Sequence, residues 1–228
     1  MTPVSEQLAR EVAALCPTVI VSFSRGKDSI AAWLHVRRFF ERIEAFHLAL
    51  IPGLSFEEES LDYFERKFGA KIHRYPHPSL FRMLRNFVFQ SPDRCSRIEA
   101  LNLKRWTYQQ IENDFREKAD APGAYIAIGA RTADSPTRLA NIRRYGAINR
   151  KRRSFQAVHD WRIAHVEQAI TEANIKLPVD YLMWGRSFDG IDYRFLAGIR
   201  DRFPDDYRKI LEWFPLAELE LWRYEHAR

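Results

Sequence analysis

The stretch "VSFSRGKDSIAAWL", residues 21–34, passes from a strand-like segment through a short polar loop into a helix-like one. Residues 18–23, "TVIVSF", form the continuous apolar run of a strand covered on both faces, and "IAAWLHVRRFF" has helical spacing. Such a junction leaves the first helical N–H groups unpaired, with the positive end of the helix dipole behind them, and so attracts an anion. In "SRGKDS" the hydroxyls of Ser24 and Ser29 can donate to phosphate oxygens, Gly26 lets the backbone turn its N–H groups inward, and Lys27 adds a point charge. Asp28 either orients a Mg2+ through water or caps the helix. The competing reading is a plain polar turn capped by Asp28 or Ser29. The patterns GxxxxGK[ST] and GxGxxG are both absent.

Working outward, "AFHLALI" (45–51) reads as a second strand that Pro52 and Gly53 break. "SFEEESLDYFERKFG" (55–69) opens with Ser55 three positions before Glu58, a capping-box spacing, and closes on Gly69. "KIHRYP" (71–76) is a third strand. Residues 82–89 and 97–118 read as two helices around the "QSPDRCS" turn, and "AYIAIGA" (124–130) is the clearest strand of all. The alternation predicts an α/β fold, a Rossmann-like doubly wound parallel sheet whose ligands sit outside the carboxyl ends of the strands. The loops after Phe23, Ile51 and Ala130 then share one rim. Residues 143–153, "RRYGAINRKRR", read as a basic, mobile loop. "DWRIAHVEQAITEANI" (160–175) is amphipathic, and the aromatic-rich remainder has helical spacing. The expected organisation is a nucleotide-binding α/β domain over 1–160 and a C-terminal helical region over 161–228 packed on the same domain.

At 228 residues and 46% hydrophobic, the chain can bury one substantial core. Its formal charge of +6 suits a partner carrying phosphate, without distinguishing a small nucleotide from a nucleic acid. The cluster Arg150, Lys151, Arg152 and Arg153 has three readings: a solvated loop, a lid over bound phosphates, or a nucleic-acid contact. Cys16 and Cys95, without a CxxC, exclude a four-cysteine zinc or iron–sulfur site within the chain and argue against a disulfide framework. His73 and His77 lack a spaced second ligand for a metal, and His159 and His165 are expected to pack. No apolar run reaches about 18 residues, and the first 15 residues carry charges in a helical pattern. A cytoplasmic protein without a membrane span is therefore expected.

"IGARTADSPTRLANIRR" (128–144) opens onto the same rim from the fourth strand. Arg131 and Arg138 are fork-shaped donors suited to phosphate or sulfate, and Asp134 or Ser135 before Pro136 forms an N-cap with proline at the first helical position. "SFSRGKDS" is similar to the SxGGKDS loop of the PP-loop ATP pyrophosphatase superfamily, whose sulfur-metabolism branch contains the phosphoadenylyl-sulfate (PAPS) reductases and the DNA-phosphorothioation ATP pyrophosphatases. That family predicts a GxRxxES-type loop after this strand, and Gly129, Arg131, Asp134 and Ser135 provide GxRxxDS. "LIPGLSFEE" resembles its TGxxFPET segment through Gly53, Phe56 and Glu58, and residues 156–178 resemble its tryptophan-bearing segment through Trp161. The resemblance spans residues 18–178. It departs at Arg25, where the family has glycine; the arginine either adds a phosphate contact or restricts the turn.

The resemblance implies an adenine-nucleotide ligand, ATP or phosphoadenylyl sulfate, with Mg2+ on Asp28. It implies a nucleotide site made of Ser22, Ser24, Arg25, Gly26, Lys27, Asp28, Ser29, Gly53, Glu58, Gly129, Arg131, Asp134, Ser135 and Arg138, and a catalytic set of Lys27, Asp28, Arg131 and Cys95. The implied reaction is cleavage of ATP at the α-phosphate with pyrophosphate release and adenylylation of a substrate, in sulfur-transfer chemistry. No cysteine follows Cys95, so neither the family's C-terminal thiol nor its four-cysteine iron–sulfur cluster carries over. Cys95, flanked by Arg94 and Arg97, is a nucleophile if exposed, since those charges favour a thiolate. Otherwise a sulfur- or thiol-donor protein supplies the sulfur. Two alternatives stand beside this: a phosphoadenylyl-sulfate reductase using Cys95 or an external thiol, and a non-catalytic nucleotide- or nucleic-acid-binding module.

Overall fold

The computed structural model of the protein describes residues 4–226. After helix α1 (Val4–Leu15) the chain alternates: β1 (Thr18–Ser22), α2 (Lys27–Val36), β2 (Arg42–Ala49), α3 (Ser55–Phe68) and β3 (Ile72–Pro76). Three helices follow, α4 (Pro78–Arg85), α5 (Pro92–Ala100) and α6 (Tyr108–Lys118), before β4 (Tyr125–Ile128) and α7 (Pro136–Tyr145). A hairpin of β5 (Ile148–Asn149) and β6 (Ser154–Gln156) leads to α8 (Ile163–Glu172). The last helices are α9 (Val179–Trp184), α10 (Tyr193–Arg202), α11 (Pro204–Trp213) and α12 (Glu218–His226). The sheet order is β3-β2-β1-β4-β6-β5, parallel except for β5. This is the α/β, doubly wound, Rossmann-like arrangement the alternation predicts.

The apolar run of β1 is buried on both faces because it is central. Val19 and Val21 enter one core with α1, α2, α3 and α8, while Ile20 enters another with Phe46, Phe115 and Ile126. Successive strands step from β1 outward to β3, then return to β4 on the other side of β1. That reversal opens a crevice beyond the carboxyl ends of β1 and β4. A third core joins Phe56 of α3 and Leu80 and Leu84 of α4 to Phe195, Ile199, Ile210 and Phe214 of the C-terminal helices. Val166 and Ile170 of α8 belong to the sheet's core, so α8 goes with the sheet layer and the separate helical core begins at α9. Among the described residues, no helix is long and apolar enough to cross a membrane.

Several sequence expectations change: α4 covers Pro78–Arg85 rather than 82–89, the "QSPDRCS" segment enters α5 instead of forming a turn, and Leu54, not Ser55, holds the N-cap position of α3 without a side-chain cap. Residues 97–118 are not one helix: α5 ends at Ala100, Asn102 adopts φ 43°, and an extended segment precedes α6, which Thr107 and Gln110 start with a capping box. Residues 143–153 are not a mobile loop either. Arg143 and Arg144 lie in the last turn of α7, and residues 150–153 form the β5–β6 turn. That turn precedes β6 at the amino-end rim, opposite the crevice, where Arg150 pairs with Glu11, Arg152 with Glu112, and Arg153 donates to the Pro122 carbonyl.

Candidate active site

Phe23 fixes the start of the first loop. It is buried between Trp33 and Phe64, with ring centroids 5.6 and 5.0 Å away. The chain then turns through Arg25 at φ 63° to Gly26, which stands in the N-cap position of α2 without a side-chain cap. Asp28 and Ser29 therefore do not cap the helix. The Ser29 hydroxyl donates to the Gly26 carbonyl at 2.8 Å and accepts the Ser24 N–H at 3.2 Å, so it braces the loop from within. Among the described residues, the N–H groups of Arg25, Gly26 and Asp28 have no protein acceptor. The head of α2 thus presents the unused N–H groups of Gly26 and Asp28 beside the Lys27 ammonium, an anion-binding arrangement, while the buried Arg25 lines no part of the cleft.

The second loop is pressed onto the first. A Cβ at Gly129 would lie 2.5 Å from the Asp28 carbonyl oxygen and 2.7 Å from the Ser29 nitrogen, so only glycine lets β4 end against the start of α2. The crevice between them is a cleft of about 360 Å³, within the range of small-molecule sites. Of the residues singled out in the sequence, Ser22, Ser24, Gly26, Lys27, Asp28, Ser29, Gly129 and Arg138 line it together. So do Tyr181, Arg186 and Ser187, which lie beyond the stretch covered by the resemblance and carry no motif of their own. The Tyr181 hydroxyl accepts the Lys27 N–H at 2.8 Å. Burial raises the Tyr181 pKa, against the pull of the Lys27 N–H. A larger cavity of about 640 Å³ lies beside α2 and α8, among Glu6, His35 and Trp161, and contains none of these loop residues.

Seven expected site residues, Arg25, Gly53, Glu58, Cys95, Arg131, Asp134 and Ser135, do not line this cleft. Arg25 is fully buried and turned away from the cleft, so its side chain is no phosphate ligand. Its Nη1 and Nη2 donate to Asp180 Oδ1 and Oδ2 at 3.1 and 3.0 Å, and Nη2 also reaches Glu57 Oε1 at 2.5 Å. Gly53 and Glu58 border a separate apolar cavity near β3, where Glu58 pairs with Arg74 at 2.9 Å. Cys95 is half-buried on α5, its Sγ 4.0 Å from the Gln90 carbonyl, and it lines no part of the cleft. Arg131 is 4% exposed and bridges the two loops: Nε lies 2.8 Å from Asp28 Oδ1 without the alignment of a hydrogen bond, and Nη2 donates to Asp134 Oδ1 at 2.6 Å. Asp134 Oδ2 also holds Arg138 at 3.3 Å, and Ser135 occupies the N-cap position of α7 ahead of Pro136.

Beneath the first loop lies a charge cluster that sequence patterns do not reveal. Burial pushes the Glu57 carboxyl up to about 7, against the pull of Arg25, with Asp180 adding to the rise. Burial, with Arg25 beside it, pushes His47 down to about 3; the neutral ring stands with Nδ1 2.9 Å from the Phe23 carbonyl and Nε2 3.8 Å from Glu57 Oε1.

Asp28 does not make a cation site by itself. Arg131 lies against one of its oxygens and Lys27 Nζ is 3.6 Å from the other, and among the described residues no three His, Cys, Asp or Glu side chains gather to hold a metal. The cleft's donors therefore suit an anion better than a resident Mg2+, which is held chiefly by phosphates and one or two carboxylates.

No family model matches the chain, and no curated protein matches it. Among solved structures, it is similar to an NH3-dependent NAD synthetase from Campylobacter jejuni in complex with the nitrate ion. The identity is 11%, the match covers 96% of this chain and 93% of that one, and the TM-score is 0.49.

Proposed function

We propose that the chain is an adenine-nucleotide-binding enzyme of PP-loop type that cleaves ATP at the α-phosphate. The observation that carries this is the head of α2: the unused N–H groups of Gly26 and Asp28 and the Lys27 ammonium, on the floor of a cleft at the switch point of the sheet. The resemblance of "SFSRGKDS" to the PP-loop supports the choice of nucleotide. An acceptor's nucleophilic atom attacks the α-phosphorus, the bond to the bridging oxygen breaks, and pyrophosphate leaves with the electron pair. Lys27 and the loop N–H groups stabilise charge gathering on the phosphate oxygens, an electrostatic contribution that needs no proton transfer. Arg138 and Arg186 hold the far end of the ligand. The adenylylated product is set up for sulfur transfer, with the thiol brought by a partner protein, because Cys95 is outside the cleft.

The test is product analysis after incubation with ATP, or with phosphoadenylyl sulfate and a thiol. Pyrophosphate from ATP, lowered about 100-fold or more in Lys27→Ala, is the expected result. Turnover that Lys27→Ala leaves unchanged would remove the loop from the chemistry. Sulfite from phosphoadenylyl sulfate would replace ATP cleavage with the reductase reading.

A further inference from the structure

The positive charge of this chain is unevenly placed. Between residues 77 and 107, Arg82, Arg85, Arg94, Arg97, Lys104 and Arg105 face only Asp93 and Glu99, so this stretch supplies +4 of the formal +6. Arginines elsewhere are commonly neutralised: Arg42, Arg74, Arg152 and Arg194 each pair with a carboxylate. Among the described residues, Arg82, Arg85, Lys104 and Arg105 make no such pair; Arg82 donates only to the Ser79 hydroxyl, and all four are exposed.

These cations flank aromatic rings. The break between α5 and α6 lays residues 103–107 across the start of α4, with Trp106 39% exposed and its ring 6.4 Å from that of Phe81. Tyr108, 45% exposed, is held at the groove's end by a 3.2 Å contact between its hydroxyl and His77 Nε2. Arg82, Arg85 and Arg105 line the groove of about 390 Å³ between them, and Phe81 and Trp106 continue into a second hollow of about 520 Å³ along β3. α4 starts two residues after β3 ends, so the groove opens on the same rim as the nucleotide cleft, two strands away.

We propose that the groove formed by α4 and residues 103–107 binds single-stranded nucleic acid. Arg82, Arg85 and Arg105 contact the phosphates and Trp106 stacks on a base. Unpaired arginines alternating with a ring held at a groove edge match a strand whose charge and base faces alternate. An acidic peptide would satisfy the arginines and leave the rings without a planar partner.

The test measures fluorescence anisotropy of labelled 12-nucleotide oligothymidylate and oligouridylate with the full chain over a salt series. Binding at low salt is expected, with log K falling linearly in log salt. The triple variant Arg82→Gln, Arg85→Gln, Arg105→Gln reduces the magnitude of that slope by about 2. Trp106→Ala weakens binding about tenfold and leaves the slope unchanged, which a purely electrostatic surface would not do. Removing three exposed cations elsewhere, by Arg66→Gln, Lys67→Gln and Arg223→Gln, leaves binding near the parent level. The same melting temperature in all variants shows that they fold. Absence of binding at low salt, equal loss in the two triple variants, equal competition by polyglutamate, or tighter binding of a duplex of the same length would each overturn the proposal. The groove triple variant retains cleavage of ATP, so failure here is distinct from failure at the cleft.

Discussion

The loops after β1 and β4 each carry an arginine with almost no exposed surface, and the two are used in opposite ways. Arg131 ties the loops to each other through Asp28, which lines the cleft, and Asp134. Arg25 ties its loop to α9 through Asp180 and to α3 through Glu57, and lines no part of the cleft. One arginine belongs to the wall of the site and the other to its foundation. The difference shows that an arginine in a rim loop need not face the cleft; its partners decide.

The strongest way to break this contrast is Arg25→Gly, which restores the glycine of the PP-loop pattern. Relief of the positive φ returns about 1 kcal/mol. The change also leaves Glu57 and Asp180 buried without their cation, at a cost of about 4 kcal/mol. A net loss of about 3 kcal/mol in chemical denaturation, together with loss of ATP binding, is expected. A variant as stable as the parent would remove Arg25 from the foundation of the loop.

Gly129→Ala tests the wall. Its Cβ meets backbone atoms of Asp28 and Ser29, which cannot swing aside as a side chain can. A loss of about 2 kcal/mol and a larger proportional fall in ATP affinity are expected, measured by denaturation and calorimetry. Unchanged affinity would mean that the two loops need not touch.

The third effect concerns pH. Glu57 keeps its proton to about pH 7 in the folded protein, above its ordinary value of 4.5. The folded state therefore binds more protons across that window, and stability falls as pH rises through it, by about 3 kcal/mol in total. Glu57→Gln flattens the dependence of melting temperature on pH between 5 and 8. A parent protein whose melting temperature rises steadily over that range would contradict the burial argument.

Much of the rim could be read from short segments. Residues 18–29 and 128–138 carry strand, turn and helix signals within a dozen positions, and the structure brings both to one cleft. Asp180, Tyr181 and Ser187 were out of reach because each acts through a contact more than 150 positions away, for which local spacing holds no signal. The two- and three-residue strands β5 and β6 are too short to show a period. The break at 101–107 was legible in principle. Thr107 and Gln110 form an S/T-x-x-E/Q start signal, hidden by the apolar Leu101 and Leu103, which keep helical spacing running through the gap.

The clamp on Arg25 also sets an order of events during synthesis. Its partner Asp180 is 155 residues later in the chain, and Tyr181, which takes the Lys27 N–H, follows directly. A nascent chain that has already emerged through β4 has both rim loops and lacks the carboxylate and hydroxyl that fix the first of them. The first rim loop is thus braced late, only in chains whose C-terminal helices have folded back onto it.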